Sequence, residues 1–245
     1  VFELIGGSAY LILQLALICA VVVEVLRRRL HRRRSFGRWL LVGSATFVLD
    51  VALALVSGTV ERPALYAVGA LLQALLVVLF AAAGSFYWAA LRGPGSAWPG
   101  GWRGPLAVLC TGALATAFNR GVLEAFHAYQ ATGMPWQLAV RTVLLVPVVE
   151  ELTYRSGMQG LLAFYGRGCR HGDALAIAAT SFLFALGHLG AGDPAWVPFV
   201  RIFPISLALG VLVLRFDVRA AIAAHATFNL LSWCLALVSA SAARS

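Results

Sequence analysis

Three short runs carry side chains whose types and spacing could do chemistry. The first is Glu150-Glu151-Leu152-Thr153-Tyr154-Arg155, the second ends in Phe184 and His188, and the third contains His225 and Asn229. Spacing of i, i+4 puts Phe184 beneath His188 and sets His225 and Asn229 on one helix face. A carboxylate held away from bulk water suits the removal of a proton from a water molecule near neutral pH. His188 can help to hold or deprotonate that water. His225 and Asn229 can donate hydrogen bonds to an oxyanion developing on a carbonyl, an effect worth about 3–4 kcal/mol in comparable sites. Hydrolysis of this kind needs neither a covalent nucleophile nor a metal.

The setting of these residues makes them conspicuous. The chain has 245 residues, 61% hydrophobic and 12% charged, against roughly 25% charged in a soluble globular domain. Apolar blocks fall near 4–26, 39–57, 64–91, 106–123, 138–164, 174–190, 197–214 and 219–240. With about 20 residues per crossing, they predict an all-α polytopic transmembrane bundle of about eight spans. It forms a single membrane-embedded domain, 1–245, with N-terminal spans over 1–137 and the spans over 138–240 carrying the three runs. Each charge at a helix centre costs roughly 2.5–3.5 kcal/mol on insertion scales, so Glu150, Glu151 and Arg155 together cost on the order of 7–10 kcal/mol before any pairing. A structural ion pair would account for two of the three. On a helix Glu151 and Arg155 stand at i, i+4 with the acid N-terminal, the better orientation for a pair. Glu150 is turned about 100° away, and its own i+4 neighbour is Tyr154, a hydrogen-bond donor. Glu150 is therefore expected to be the general base and Glu151 the partner of Arg155.

Other hydrolytic chemistries find little support. The chain has no HExxH helix and no GxSxG elbow, and Asp50 stands alone in the second span without a second aspartate for a dyad. No cofactor is expected. Zinc held by Glu150, His188 and His225 is the alternative that the residue types leave open. A non-enzymatic or ion-coupled protein, such as an immunity factor or a transporter-like protein using the cluster as a binding site or proton relay, is the rival class.

The order E-E-x3-R, F-x3-H, H-x3-N resembles the CAAX-processing and bacteriocin-processing membrane proteases, the CPBP or Abi family, which includes the CAAX prenyl endopeptidases. The likeness covers Glu150–Asn229, while residues 1–137 match only as apolar helices. It implies an eight-helix membrane bundle with a glutamate-type intramembrane peptidase site. Glu150, His188, His225 and Asn229 would be catalytic in it, with Glu151, Tyr154, Arg155 and Phe184 in support. The implied substrate is a membrane-anchored protein or peptide. CAAX-type processing, peptide maturation and removal of a C-terminal sorting signal remain open.

The net charge of +9 comes with 19 basic residues, all arginine. Seven lie between Arg27 and Arg38, beside an apolar span, which reads as a cytoplasmic topology signal rather than a nucleic-acid site. With that loop inside, thirteen arginines fall on the cytoplasmic side and only Arg62, Arg120 and Arg244 outside. The expected protein is multi-pass in a bacterial or archaeal cytoplasmic membrane, partnered by lipid and not by nucleic acid. Its first helix is expected to be retained, with the N-terminus outside.

The remaining polar residues read more plainly. Arg120, Glu124 and His127 make a stripe at one end of the fourth span, Arg141 and Arg201 are placed to snorkel, and His31 and His171 lie in basic breaks. Cys19, Cys110, Cys169 and Cys234 are scattered, three of them in apolar stretches, as small buried residues would be. The fifth span is too long for the bilayer core, so Pro147 is expected to kink it, with Gly157 and Gly160 as close-packing points. In a Cys-free background, Ser35→Cys should stay unlabelled by an impermeant thiol reagent in intact cells and react once the cells are opened. Labelling in intact cells would reverse the orientation.

Overall fold

The computed structural model describes residues 15, 16, 18–30, 34–58, 62–92, 102–126, 136–190 and 194–242. Among them every regular element is a helix. In chain order these are α1 (residues 18–27), α2 (Arg34–Ser57), α3 (Pro63–Arg92), α4 (Arg103–Ala125), α5 (Trp136–Val140), α6 (Val146–Glu151), α7 (Gly160–Gly166), α8 (Gly172–Leu186), α9 (Val197–Arg215) and α10 (Val218–Ala242). Five, α2, α3, α4, α9 and α10, are long and apolar enough to cross a membrane, and they correspond to five of the expected spans.

The local reasons are legible. Pro63 opens α3, where its missing N–H costs nothing. Gly58, at φ +65°, leaves α2 through the left-handed conformation that favours glycine. Asp217 accepts from the backbone N–H groups of Arg219 (2.8 Å) and Ala220 (3.3 Å), which caps the start of α10.

The expected fifth span is continuous over 136–166 but not uniformly α-helical. Two π-helical segments, Arg141–Leu145 and Leu152–Gln159, interrupt it. Pro147 lies at the start of α6, directly after the first of them. Its ring cannot share the turn with the carbonyl four residues earlier, and a widened turn relieves that clash. The expected sixth span falls short of 174–190: α8 has only 15 residues, about 22 Å of rise against a core of about 30 Å, and His188 lies in the turn beyond it.

The chain divides into two compact units. One holds α1–α3, α5–α7 and the start of α8; the other holds α4, α9, α10 and α8 from Ile177. In the first unit, α3 packs against α2, the second π segment and α7. The approach is close: a Cβ on Gly84 would lie 2.3 Å from the Ser156 carbonyl oxygen, and one on Gly157 2.2 Å from the Phe80 ring. Val21, Val25, Phe80, Tyr87, Met158 and Phe164 form the core beneath, with Tyr154 packed against it. Glu24 fastens α1 through Arg27 (2.6 Å), Arg28 and the Tyr165 hydroxyl (2.7 Å), so the start of the arginine run also holds the fold. In the second unit, α10 packs on α4 and α9, and Thr116 donates to the carbonyls of Gly112 (2.8 Å) and Phe228 (3.5 Å). All four cysteines are free and exposed rather than buried, because they lie on outer faces of the helices and turns.

Replacing Gly84 or Gly157 by alanine should destabilise the detergent-purified protein by about 1–3 kcal/mol, the usual cost of overpacking. Gly69→Ala and Gly121→Ala, where a Cβ meets nothing within 4 Å, should leave the melting temperature unchanged or slightly raised. Equal melting temperatures for all four would refute the tight α3 contact.

Candidate active site

The first group of candidate residues sits where α6 passes into the second π segment. Arg155 Nε lies 3.3 Å from Glu151 Oε2, and both side chains are fully enclosed at 0% exposure. The pair expected from i, i+4 spacing is present even though the backbone beyond Glu151 has widened. Within the widened stretch the Arg155 carbonyl accepts a hydrogen bond from Trp88 Nε1 at 3.2 Å. An indole from α3 thus holds the backbone of the residue whose guanidinium is buried. Glu150 differs from its neighbour in being half-buried rather than enclosed, and its charge also acts on Arg155. Tyr154 contributes its ring to the α1–α3 core.

The second group is held by α8 and α10. At the end of α8 the chain tightens, and the His188 N–H bonds back to the Ala185 carbonyl at 3.0 Å instead of to Phe184. The Phe184 carbonyl would be left without an intrahelical partner, as last-turn carbonyls are. His188 Nδ1 takes it, at 2.8 Å. A carbonyl oxygen only accepts, so Nδ1 carries the hydrogen and Nε2 of the neutral ring presents a lone pair. The Phe184 ring stands 4.7 Å from the His188 ring and 6.3 Å from the His225 ring, edge-on to the latter. One aromatic side chain therefore touches both histidines. His225 is buried and also meets Phe228 at 6.3 Å, and Asn229 follows one turn later on α10.

Several polar residues differ from their expected settings. Asp50 is not alone, and Arg141 does not snorkel: Arg141 Nε donates to Asp50 Oδ1 from the first π segment to α2. Two lone opposite charges in neighbouring spans were the available signal, since each needs a counter-charge. Arg120 and Glu124 form the i, i+4 pair of the expected stripe, largely exposed, a type worth about 0–1 kcal/mol. His127 and His31 lie outside the described residues, and His171 is exposed as expected. Arg201 is half-buried in the first turns of α9, with its Nε shut off from solvent. The described His, Cys, Asp and Glu side chains gather in no group of three within either unit.

Residues 132–231, which include all three motifs, match the family model described as type II CAAX prenyl endopeptidase Rce1-like. The likeness is to the C-terminal stretch and leaves residues 1–131 outside it. The resemblance drawn from E-E-x3-R, F-x3-H and H-x3-N stands on this match. The matched family is a protease family, which supports peptide hydrolysis on a membrane-associated protein substrate as the general activity. No curated protein and no solved structure matches the chain significantly.

The two adjacent glutamates should part company in stability. Glu151→Gln leaves the Arg155 charge enclosed without its partner and should cost about 3–5 kcal/mol. Glu150→Gln should change stability by no more than about 1 kcal/mol, as substitutions outside a core pair do. Thermal unfolding of the purified variants checks this; equal losses would remove the distinction.

Proposed function

We propose that the protein is a glutamate-dependent intramembrane endopeptidase in which Glu150 is the general base. The observation that carries the reading is the contrast within the matched stretch between an enclosed Glu151, committed to Arg155, and a Glu150 that is only half-buried. Glu150 takes a proton from water as the water oxygen attacks the scissile carbonyl carbon. His188 Nε2, its lone pair fixed by the Nδ1 bond to Phe184, accepts a hydrogen bond from the same water and orients it. His225 and Asn229 donate to the oxygen that becomes negative. The carboxylic acid formed at Glu150 then delivers its proton to the amide nitrogen as the carbon–nitrogen bond breaks, releasing a new carboxylate and a new amine.

Supporting roles follow from the contacts. Arg155 and Glu151 hold the helix in register, Trp88 anchors its widened backbone, and Phe184 fixes the facing edges of both imidazoles. The substrate is a membrane-anchored protein or peptide. CAAX-type trimming, peptide maturation and cleavage of a C-terminal sorting signal are its three candidate forms. The Arg27–Arg38 loop faces the cytoplasm, following the arginine asymmetry.

Purified protein in proteoliposomes, given a quenched peptide ending in S-farnesylcysteine and three aliphatic residues, tests the reading. Glu150→Gln should abolish cleavage while the protein stays folded. His225→Ala and Asn229→Ala should each lower kcat by roughly 10²–10³, as removal of an oxyanion donor does. Serine- and thiol-directed reagents and chelators should leave the rate intact. Loss with a chelator and recovery with zinc would replace this mechanism by a metal-dependent one, and full activity of Glu150→Gln would remove the assignment of the base.

A further inference from the structure

The C-terminal ends of α1, α3 and α7 lie together in the first unit, and arginines gather there. Arg28, just past α1, lays its guanidinium over the Phe86 ring of α3 at 4.7 Å and over the Phe164 ring of α7 at 5.2 Å. Arg167, just past α7, lies over the same Phe164 ring at 4.5 Å. Arg27 donates to the Tyr165 hydroxyl at 3.1 Å. At the end of α3, Arg92 covers Trp88 at 4.8 Å.

The negative charge facing them falls short. Among the described residues one carboxylate, Glu24, meets this cluster, and Arg27, Arg28 and Tyr165 all converge on it. Arg167 is exposed and makes no ion pair among the described residues. Arg27, Arg28 and Arg167 against Glu24 leave a surplus of positive charge. The three helix ends favour cations, but their partial negative charge fades within the last turn and does not balance whole guanidiniums. A second shortfall lies beside the first. The Tyr87 hydroxyl, fully buried next to Glu24, Arg27 and Arg28, has no hydrogen-bond partner among the described residues. A buried donor in that condition calls for an acceptor.

The arginines are also held ready. Glu24 fixes Arg27 and Arg28, while the rings support Arg28 and Arg167, so little side-chain freedom remains to be lost on binding. Each guanidinium has five N–H donors, more than Glu24 and Tyr165 can take. Their setting decides the ligand. Trp88 and Tyr165, near the ends of their helices, mark the level at which bilayer meets water, and Phe86 and Trp88 keep part of their surface open. A molecule bound here meets cationic groups and apolar ring surface at once. A phospholipid offers both parts, a phosphate and an acyl body, whereas a water-borne acidic partner would leave the ring surface unused.

We propose that Arg28 and Arg167, with Arg27, bind the phosphate of an anionic phospholipid and hold one such lipid at the arginine-rich end of the first unit. Planar guanidiniums suit phosphate oxygens through bidentate contacts. The bound phosphate offsets the surplus charge and ties the ends of α1 and α7 together, so its binding stabilises the folded protein. This site goes beyond the peptidase reading and stands whether or not the chain cleaves peptides.

The test titrates full-length protein in neutral detergent with phosphatidylglycerol, with phosphatidylcholine of the same acyl chains, and with inorganic phosphate. Native mass spectrometry counts bound lipids, and thermal unfolding reads their effect. Wild type should bind one phosphatidylglycerol about tenfold or more tightly than phosphatidylcholine, with a saturating rise in melting temperature. Arg167→Gln, a substitution of an exposed side chain, should lower that preference by about fivefold, the share of one arginine at an anionic surface. Its melting temperature without lipid should not change. Arg28→Lys keeps the charge but loses the planar fork, and should also lower the preference. Arg215→Gln removes an equally exposed charge from the other unit and should change nothing. Equal binding of the two lipids overturns the proposal, as does a full preference retained by Arg167→Gln. Equal losses in Arg167→Gln and Arg215→Gln overturn it too, since they would show attraction to overall charge and no site. A rise in melting temperature with inorganic phosphate that matches the lipid's overturns the assignment to a lipid.

Discussion

Everything in the first unit is arranged around one enclosed ion pair, Glu151 with Arg155. Neither side chain has any solvent exposure, and charges so placed are tolerated only with good geometry and further hydrogen bonding. Enclosure combines close backbone approach at two glycines with aromatic side chains from α3. Gly84 admits the Ser156 main chain, Gly157 admits Phe80, and Trp88 bonds the Arg155 carbonyl. All of these contacts come from α3 and fall within about one turn of Arg155. The widened turns of Leu152–Gln159 belong to the same solution. Within them the Arg155 carbonyl accepts a hydrogen bond from an indole of α3. A helix locked in this way cannot rotate or slide without exposing or stranding a charge, so the direction of the neighbouring Glu150 is set by the pair beside it.

The second unit obtains rigidity by different means. An end-of-helix bond and an aromatic wedge hold the two histidines. Because His188 caps the carbonyl of Phe184, the ring, its tautomer and the tightened end of α8 are one interaction. Because the Phe184 ring also lies against His225, a displacement of α8 would disturb both imidazoles together. The spacing F-x3-H thus has a physical content beyond a shared helix face. It joins the main chain of the aromatic residue to the side chain of the histidine.

How much of this was legible in the sequence depends on the kind of interaction. The Glu151–Arg155 pair followed from a spacing of four and an apolar setting, and it survives the change from α to π winding because both windings keep those residues adjacent. The contact of Phe184 with His188 followed likewise. The π segments themselves were not legible: Pro147 marked a disturbance, but the choice between a kink and a widened turn depends on what α2 and α3 offer the freed groups. The Asp50–Arg141 contact was missed because each charge was weighed within its own span. Partners on different helices have no fixed spacing, and only the rule that a membrane charge seeks an opposite one could have matched them. The buried reading of the cysteines failed for a related reason. In a lipid-facing bundle apolar sequence does not separate inside from outside, so a small residue in an apolar run carries no information about its face.

Charge conservation connects the enclosed pair to the proposed reaction. Two carboxylates against one guanidinium give the Glu150–Arg155 segment a net charge of minus one. In an apolar medium that charge is costly wherever water cannot approach, which is reason enough for Glu150 to be the less buried of the two. In the proposed reaction, taking a proton from water would neutralise Glu150, and the attack would transfer the negative charge to the substrate oxygen. A reaction of that kind would move a charge already present and create none, which limits what the rest of the site must provide. Neutral donors on α10, His225 and Asn229, suffice to receive it, because prearranged dipoles in a water-poor site need no reorganisation at the moment of attack. The same accounting explains why Glu151 must stay bound to Arg155. Were the guanidinium to neutralise Glu150 instead, the segment would still carry one negative charge, but on the enclosed carboxylate that water does not reach, and the base would be held by a cation when it had to accept a proton.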